Sequence, residues 1–175
     1  NSGFMPTYMI AVWRGGTPIG VAVQEVLQFH GVNTDHIAIR TSSYSGIDEH
    51  SNKIAVHGLN YLVKNITEED RLLVVDDVLD TGLTVQAIIA ELERKARRNT
   101  PSEIRVAVPY YKPSRNKTSI IPDYFIHTTE AWLKFPHSLE GLSVEEIAEH
   151  RPDLYDILKL ATNCLLYTSD AADDL

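Results

Sequence analysis

The densest set of reactive groups in the 175-residue chain lies between Val74 and Thr84. An apolar stretch, Leu72 to Val75, runs straight into Asp76 and Asp77, and Asp80 follows three residues later. Thr81, Gly82, Leu83 and Thr84 then lead into a segment with helical periodicity. Carboxylates accept hydrogen bonds from vicinal hydroxyls. The unpaired amides of a helix start, with nearby hydroxyls, suit an anion such as a phosphate. Three acids beside such a cradle therefore fit a ligand carrying both a sugar diol and a phosphate. A Walker loop is excluded, because no Gly-Lys-Ser or Gly-Lys-Thr is present. Acids after a strand can equally serve as ordinary helix caps, but the whole string is far more specific than that.

Three further groups carry chemistry. Trp13-Arg14-Gly15-Gly16 closes an apolar run with two glycines, which let a backbone approach an anion, and a guanidinium beside them. Alone, it also reads as a plain turn. Ser43 and Tyr44 sit in a polar stretch, Arg40 to Asn52, whose composition is that of a mobile loop or a solvated surface. Lys112, followed by Pro113, and Trp132 with Leu133 supply an ammonium, a flat π-face and backbone groups, or else a surface lysine and a core or interface tryptophan. The seven histidines show no metal-ligand spacing and read as surface or satisfied structural residues.

These groups need elements to position them. Tyr8 to Trp13 reads as a buried strand. A helix follows, with Thr17 as cap, Pro18 in its first turn, and apolar positions at Ile19, Val23, Val26 and Leu27 continuing the helical pattern to Gly31. Strands are expected at His36 to Ile39, Leu72 to Val75, Ile104 to Tyr110 and Tyr124 to His127, with a short edge segment at Ala131 to Phe135. Val85 to Arg97 reads as a helix with Ile88, Ile89 and Leu92 inward and a basic end that suits its dipole. Ser143 and Glu146 form a capping box opening a C-terminal helix that ends near Arg151 and Pro152. Alternating strands and helices predict an α/β, doubly wound, mostly parallel sheet flanked by helices.

Net charge of −8 disfavours a nucleic-acid binder. No apolar run long enough for a membrane span is present. One cysteine, Cys164, rules out an internal disulfide, and a cytoplasmic setting is expected. Residues 1–163 are expected to form a single domain with a truncated N-terminus. The 164–175 tail resembles the translation of a sequencing adapter and is expected to be non-native.

Val74 to Thr84 resembles the phosphoribosyl-pyrophosphate signature of type I phosphoribosyltransferases, closest to the hypoxanthine and xanthine–guanine enzymes. The resemblance spans roughly Tyr8 to Leu160 and implies that fold, with a small base-binding hood. It implies that Asp76 and Asp77 hold the ribose hydroxyls, and a metal directly or through those hydroxyls or water. Asp80, Thr81, Gly82, Leu83 and Thr84 would surround the 5′-phosphate, with Asp80 near the base as acid/base catalyst. Leu83 departs from the Lys or Arg of many relatives, shifting the cradle onto backbone amides. Arg14, Gly15 and Gly16 match the pyrophosphate loop, where the family often holds a non-proline cis peptide, here at Trp13–Arg14. Ser43 and Tyr44 match a lid that closes over the reaction centre. Lys112 matches the residue that reads the exocyclic oxygen of a 6-oxopurine, Trp132 the ring that stacks on the base, and Leu133 its backbone partner. The implied reaction is Mg²⁺-dependent transfer of phosphoribose to hypoxanthine, guanine or xanthine by a homodimer or homotetramer. Another base, or a phosphoribosyl-pyrophosphate-sensing regulator on the same fold, stays open.

Overall fold

The computed structural model describes residues 3–45, 52–139 and 142–169. The chain divides into two compact units, one ending at His137 and the other starting at Ser138. In the first unit, β1 (Tyr8–Trp13), α1 (Gly16–Phe29), β2 (Asp35–Ser45), β3 (Asn52–His57), α2 (Asn60–Asn65), β4 (Arg71–Val75), β5 (Val78–Leu79), α3 (Leu83–Ala96), β6 (Glu103–Tyr111) and β7 (Tyr124–Thr128) follow in order. The second holds α4 (Val144–His150) and α5 (Pro152–Ser169). Among the described residues, no helix is long and apolar enough to cross a membrane.

The sheet is mixed but mostly parallel. β1 pairs in parallel with β2 and β4, and β4 with β6. Tyr110 and Tyr111 of β6 pair at once with β5 and β7, which therefore lie on opposite sides of it. Among the described residues, the one antiparallel pairing joins β2 to β3.

β4 shows why the sheet needs two covering layers. Leu72, Leu73, Val74 and Val75 are all buried, as a central parallel strand requires. Alternate residues point to opposite faces. Leu72 and Val74 join Ile10, Leu62, Ile88 and Leu92 in one cluster, supplied by α2 and α3. Leu73 and Val75 join Met9 against Ile19, Val23 and Leu27 of α1. Each side chain so buried contributes about 1.5–3 kcal/mol.

Several expectations need correction. Thr17 does not cap α1: the cap position is Gly15, and the Thr17 hydroxyl is buried without a hydrogen-bond partner. The stretch from Arg40 is not wholly a loop, because β2 continues to Ser45 and pairs with β3 as a two-stranded ribbon. Its Ser- and Thr-rich strand lacks the apolar alternation that marks a half-buried strand. Ala131 to Phe135 forms no strand. The capping box is present, with the Ser143 hydroxyl accepting from the Glu146 amide at 3.2 Å and the Glu146 carboxylate from the Ser143 amide at 2.9 Å. The helix it opens ends at His150, with Arg151 in the cap position, and a further helix begins at Pro152, whose missing N–H costs nothing in a first turn.

Candidate active site

Strand β4 stops where its backbone turns aside. The Asp76 amide donates to the Ala107 carbonyl at 3.2 Å, and the Asp76 Oδ1 atom accepts the Asp77 amide at 2.9 Å. Asp76 is only 9% exposed. Burial, reinforced by the neighbouring Asp77 carboxylate, pushes its pKa well above the ordinary carboxylate range.

The loop after β1 lies directly on this acid pair. A Cβ at Gly15 would fall 1.9 Å from Asp77 Oδ2, and one at Gly16 2.7 Å from the Val75 carbonyl and 2.8 Å from the Asp76 Cα. Only glycine permits that approach. The Trp13–Arg14 peptide bond is cis, as the resemblance implied. Arg14, Gly15 and Gly16 are thus brought to Asp76 and Asp77 across some sixty residues of sequence, by the β1–β4 pairing.

Two helix starts converge here. Both α1 and α3 begin at a glycine, Gly15 and Gly82, without a side-chain cap and without an acid in the first turn. Their first amides carry a partial positive charge, and Asp77 Oδ2 lies against the Gly15 end. Asp76, Asp77, Asp80, Thr81, Gly82 and Thr84 line a cavity of about 250 Å³ at the start of α3. Leu83 opens that helix, and its amide leans on the Thr81 hydroxyl at 3.4 Å, a weak contact.

Gly82 has φ of +75°, and a Cβ there would lie 2.4 Å from the Thr118 hydroxyl. The wall it meets was missed from sequence. Asn116 Oδ1 accepts both the amide and the hydroxyl of Thr118 at 2.9 Å, its Nδ2 donates to the Ile120 carbonyl at 2.7 Å, and the Lys117 amide donates to the Thr81 carbonyl at 2.9 Å. A side chain accepting from the amide two residues on is an Asx turn, and Asn116 in a polar stretch was the available signal.

Asp80 lies between two cations. Lys112 Nζ is 3.4 Å from its Oδ2, and Arg115 Nε is 2.6 Å from its Oδ1, although the guanidinium N–H is not aligned for a hydrogen bond. Lys112 is buried and is fixed by its amide, which donates to the Leu79 carbonyl at 3.0 Å. Its ammonium also stands 5.6 Å from the centre of the Trp132 ring, a cation–π distance. Trp132 is 77% exposed, so it is not a core residue. Arg115 was not foreseen; it follows Lys112 in the short 3-10 turn Pro113–Arg115. Leu133 continues the irregular segment after Trp132, and Glu130, just before, is tied to Ser114.

His137, read from sequence as structural, has Nε2 3.8 Å from Asp77 Oδ2. The backbone of Ser43 and Tyr44 pairs with Ile54 and Lys53. The roles expected of these two side chains lie outside the described residues.

Comparison with known proteins agrees with this arrangement. The family model described as phosphoribosyl transferase domain matches residues 2–147. The fold is similar to purine phosphoribosyltransferase from Pyrococcus horikoshii, at 31% identity over 76% of this chain and 78% of that one, with a TM-score of 0.59. It is also similar to hypoxanthine phosphoribosyltransferase from Trypanosoma cruzi in complex with the product IMP, at 19% identity and a TM-score of 0.58, over 71% of this chain and 61% of that one. The hypoxanthine phosphoribosyltransferase of Staphylococcus aureus gives 17% identity and a TM-score of 0.55, over 71% and 62%. At such identities the last two likenesses are of fold alone. No curated protein sequence matches the chain. The matched span takes in the acid pair, the glycine loop and both helix starts, and the chain belongs to the phosphoribosyl transferase family, as a phosphoribosyltransferase with a mostly parallel α/β sheet.

Proposed function

We propose that this phosphoribosyltransferase transfers the 5-phosphoribosyl group from phosphoribosyl pyrophosphate to a 6-oxopurine, namely hypoxanthine, guanine or xanthine, releasing the nucleotide and pyrophosphate. The observation that carries the base is the grouping of Lys112 with Asp80 at 3.4 Å and with the Trp132 ring at 5.6 Å. Three residues with complementary demands on a purine thereby share one neighbourhood. An ammonium donates to an exocyclic oxygen and repels an amino group, which favours a 6-oxopurine over adenine. The exposed Trp132 face offers stacking, with Leu133 backbone groups at the base edge, and Asp80 takes up or returns a proton at N7.

On this reading Asp76 and Asp77 accept from the ribose hydroxyls. Asp80, Thr81, Gly82, Leu83 and Thr84 surround the 5′-phosphate, chiefly through amides and hydroxyls. Arg14 and the Gly15 and Gly16 amides hold the leaving pyrophosphate. Ser43 and Tyr44 close over the centre and exclude water from an oxocarbenium-like transition state. No covalent enzyme intermediate is needed; positioning and fixed charge supply most of the acceleration.

The donor set fits a magnesium ion that arrives with its substrate. Among the described residues no group of three or more His, Cys, Asp or Glu is placed to hold a metal. Asp76 Oδ1 is already taken by the Asp77 amide. Two carboxylates plus substrate oxygens and waters are what Mg²⁺ ordinarily takes. Asp76 and Asp77 would reach it through ribose hydroxyls or water, and bound there it would neutralise charge on the pyrophosphate. The same reading expects a cytoplasmic protein that self-associates as a dimer or tetramer. Exposed Phe29, Ile121 and Ile126, 87%, 68% and 74% accessible, are surface that a second copy could cover.

The direct test is turnover of hypoxanthine, guanine, xanthine, adenine, uracil and orotate with phosphoribosyl pyrophosphate and Mg²⁺. Turnover of 6-oxopurines is expected. Turnover of pyrimidines alone would assign another base, and nucleic-acid binding without any turnover would assign a regulator.

A further inference from the structure

His137 is the one imidazole within ion-pair range of the acid pair among the described residues. Its Nε2 lies 3.8 Å from Asp77 Oδ2, too far for a direct hydrogen bond. The spacing is nevertheless chemically specific. An oxygen can sit about 2.8 Å from both atoms at once, donating its proton to the carboxylate and accepting one from the ring nitrogen. A sugar hydroxyl is such a group, and a purely acceptor oxygen is not.

The ring is held, not loose. It stacks on Phe135 with centroids 5.3 Å apart and planes 15° apart, and Phe135 packs edge-on against Tyr110 at 5.8 Å. His137 and Asp77 keep 25% and 18% of their side-chain surface exposed, so a ligand can reach the space between them. The same Oδ2 fills the volume a Gly15 Cβ would need. The carboxylate is thus packed against a backbone and lies near an imidazole.

We propose that His137 is a further substrate-binding residue, sharing one ribose hydroxyl with Asp77 and so contributing to selection for ribose over deoxyribose. This rests on the reading of Asp76 and Asp77 as the ribose-binding acids. Asp77 alone accepts from a hydroxyl; His137 adds a donor, so that both the proton and a lone pair of that hydroxyl are used. Either the neutral ring with its proton on Nε2 or the imidazolium supplies it. A deoxy analogue lacks that shared hydroxyl and leaves its two partners to water, so it binds more weakly than the ribose form.

The test is calorimetric binding of inosine 5′-phosphate and of its 2′-deoxy and 3′-deoxy forms to the wild type, His137→Ala and His137→Gln, with thermal melting as the check on folding. The wild type is expected to prefer the ribonucleotide. His137→Ala should shrink that preference about 3- to 10-fold against one deoxy form and leave it unchanged against the other, as the loss of one hydrogen bond would. His137→Gln, which keeps a donor, should recover part of it. A folded His137→Ala protein with the wild-type preference against both deoxy forms would overturn the role of His137 while leaving the ribose reading intact. A wild type that binds all three nucleotides equally would overturn both.

Discussion

Asp80 is held by charge on two sides, with the Arg115 guanidinium at 2.6 Å and the Lys112 ammonium at 3.4 Å. A carboxylate in that setting can be exchanged for an amide with little change in shape. Asp80→Asn should therefore fold, judged by thermal melting, while kcat for hypoxanthine falls about 10²- to 10⁴-fold, the usual worth of a positioned acid/base group. Near-normal turnover would remove Asp80 from that role. Asp76 behaves differently, because burial and Asp77 raise its pKa in the folded protein above the ordinary 3.8. A raised folded value means stability that is present below the unfolded pKa and is lost as pH rises through the folded one. Asp76→Asn removes that loss. Without ligand, this variant should melt at a higher temperature than the wild type near about pH 7, with the difference closing as the pH falls below about 4. At this scale the acids and glycines of the site were legible because their chemistry is dense and contiguous. Arg115, Asn116 and His137 were not, since each lies in a short turn or irregular chain with no period to read, and only the path of the backbone brings it to an acid or to Gly82.

The elements that carry the site are the starts of α1 and α3, each with a glycine in the cap position. Gly82 combines φ of +75° with a neighbour that leaves no room for a Cβ. Gly82→Ala should cost about 1–3 kcal/mol in denaturant unfolding, the usual range for a non-glycine residue held in the left-handed region, before any effect on activity is counted. An unchanged midpoint would show that the Asn116–Thr118 wall yields freely. Strands β1 and β4 were readable because burial on both faces makes them continuous apolar runs. The β2–β3 ribbon was not, because its polar residues carry no facial pattern. β5, two residues long, is too short to leave any period.

At the scale of the whole molecule, a chain of net charge −8 is read as binding a polyanionic substrate. On the proposed reading, local geometry resolves the conflict: anion contacts would come from helix amides, Arg14 and a metal brought by the substrate, so global charge is a weak guide. Removing metal should accordingly act on catalysis and not on the fold. A chelator is expected to abolish turnover while leaving the melting temperature of the unliganded protein unchanged; a large drop in that temperature would reveal a metal built into the structure. The alternation of strands and helices gave the doubly wound class, since helices on both faces of an open sheet bury a strand like β4 completely. The central claim is that one site joins phosphoribosyl transfer to recognition of a 6-oxopurine through Lys112. It is tested most directly by the ratio of kcat/KM for hypoxanthine to that for adenine, in the wild type and in Lys112→Gln. The wild type should favour hypoxanthine by about 10²-fold or more, and the variant should lose most of that ratio. A folded Lys112→Gln enzyme with an unchanged ratio, or a wild type that prefers adenine, would contradict it.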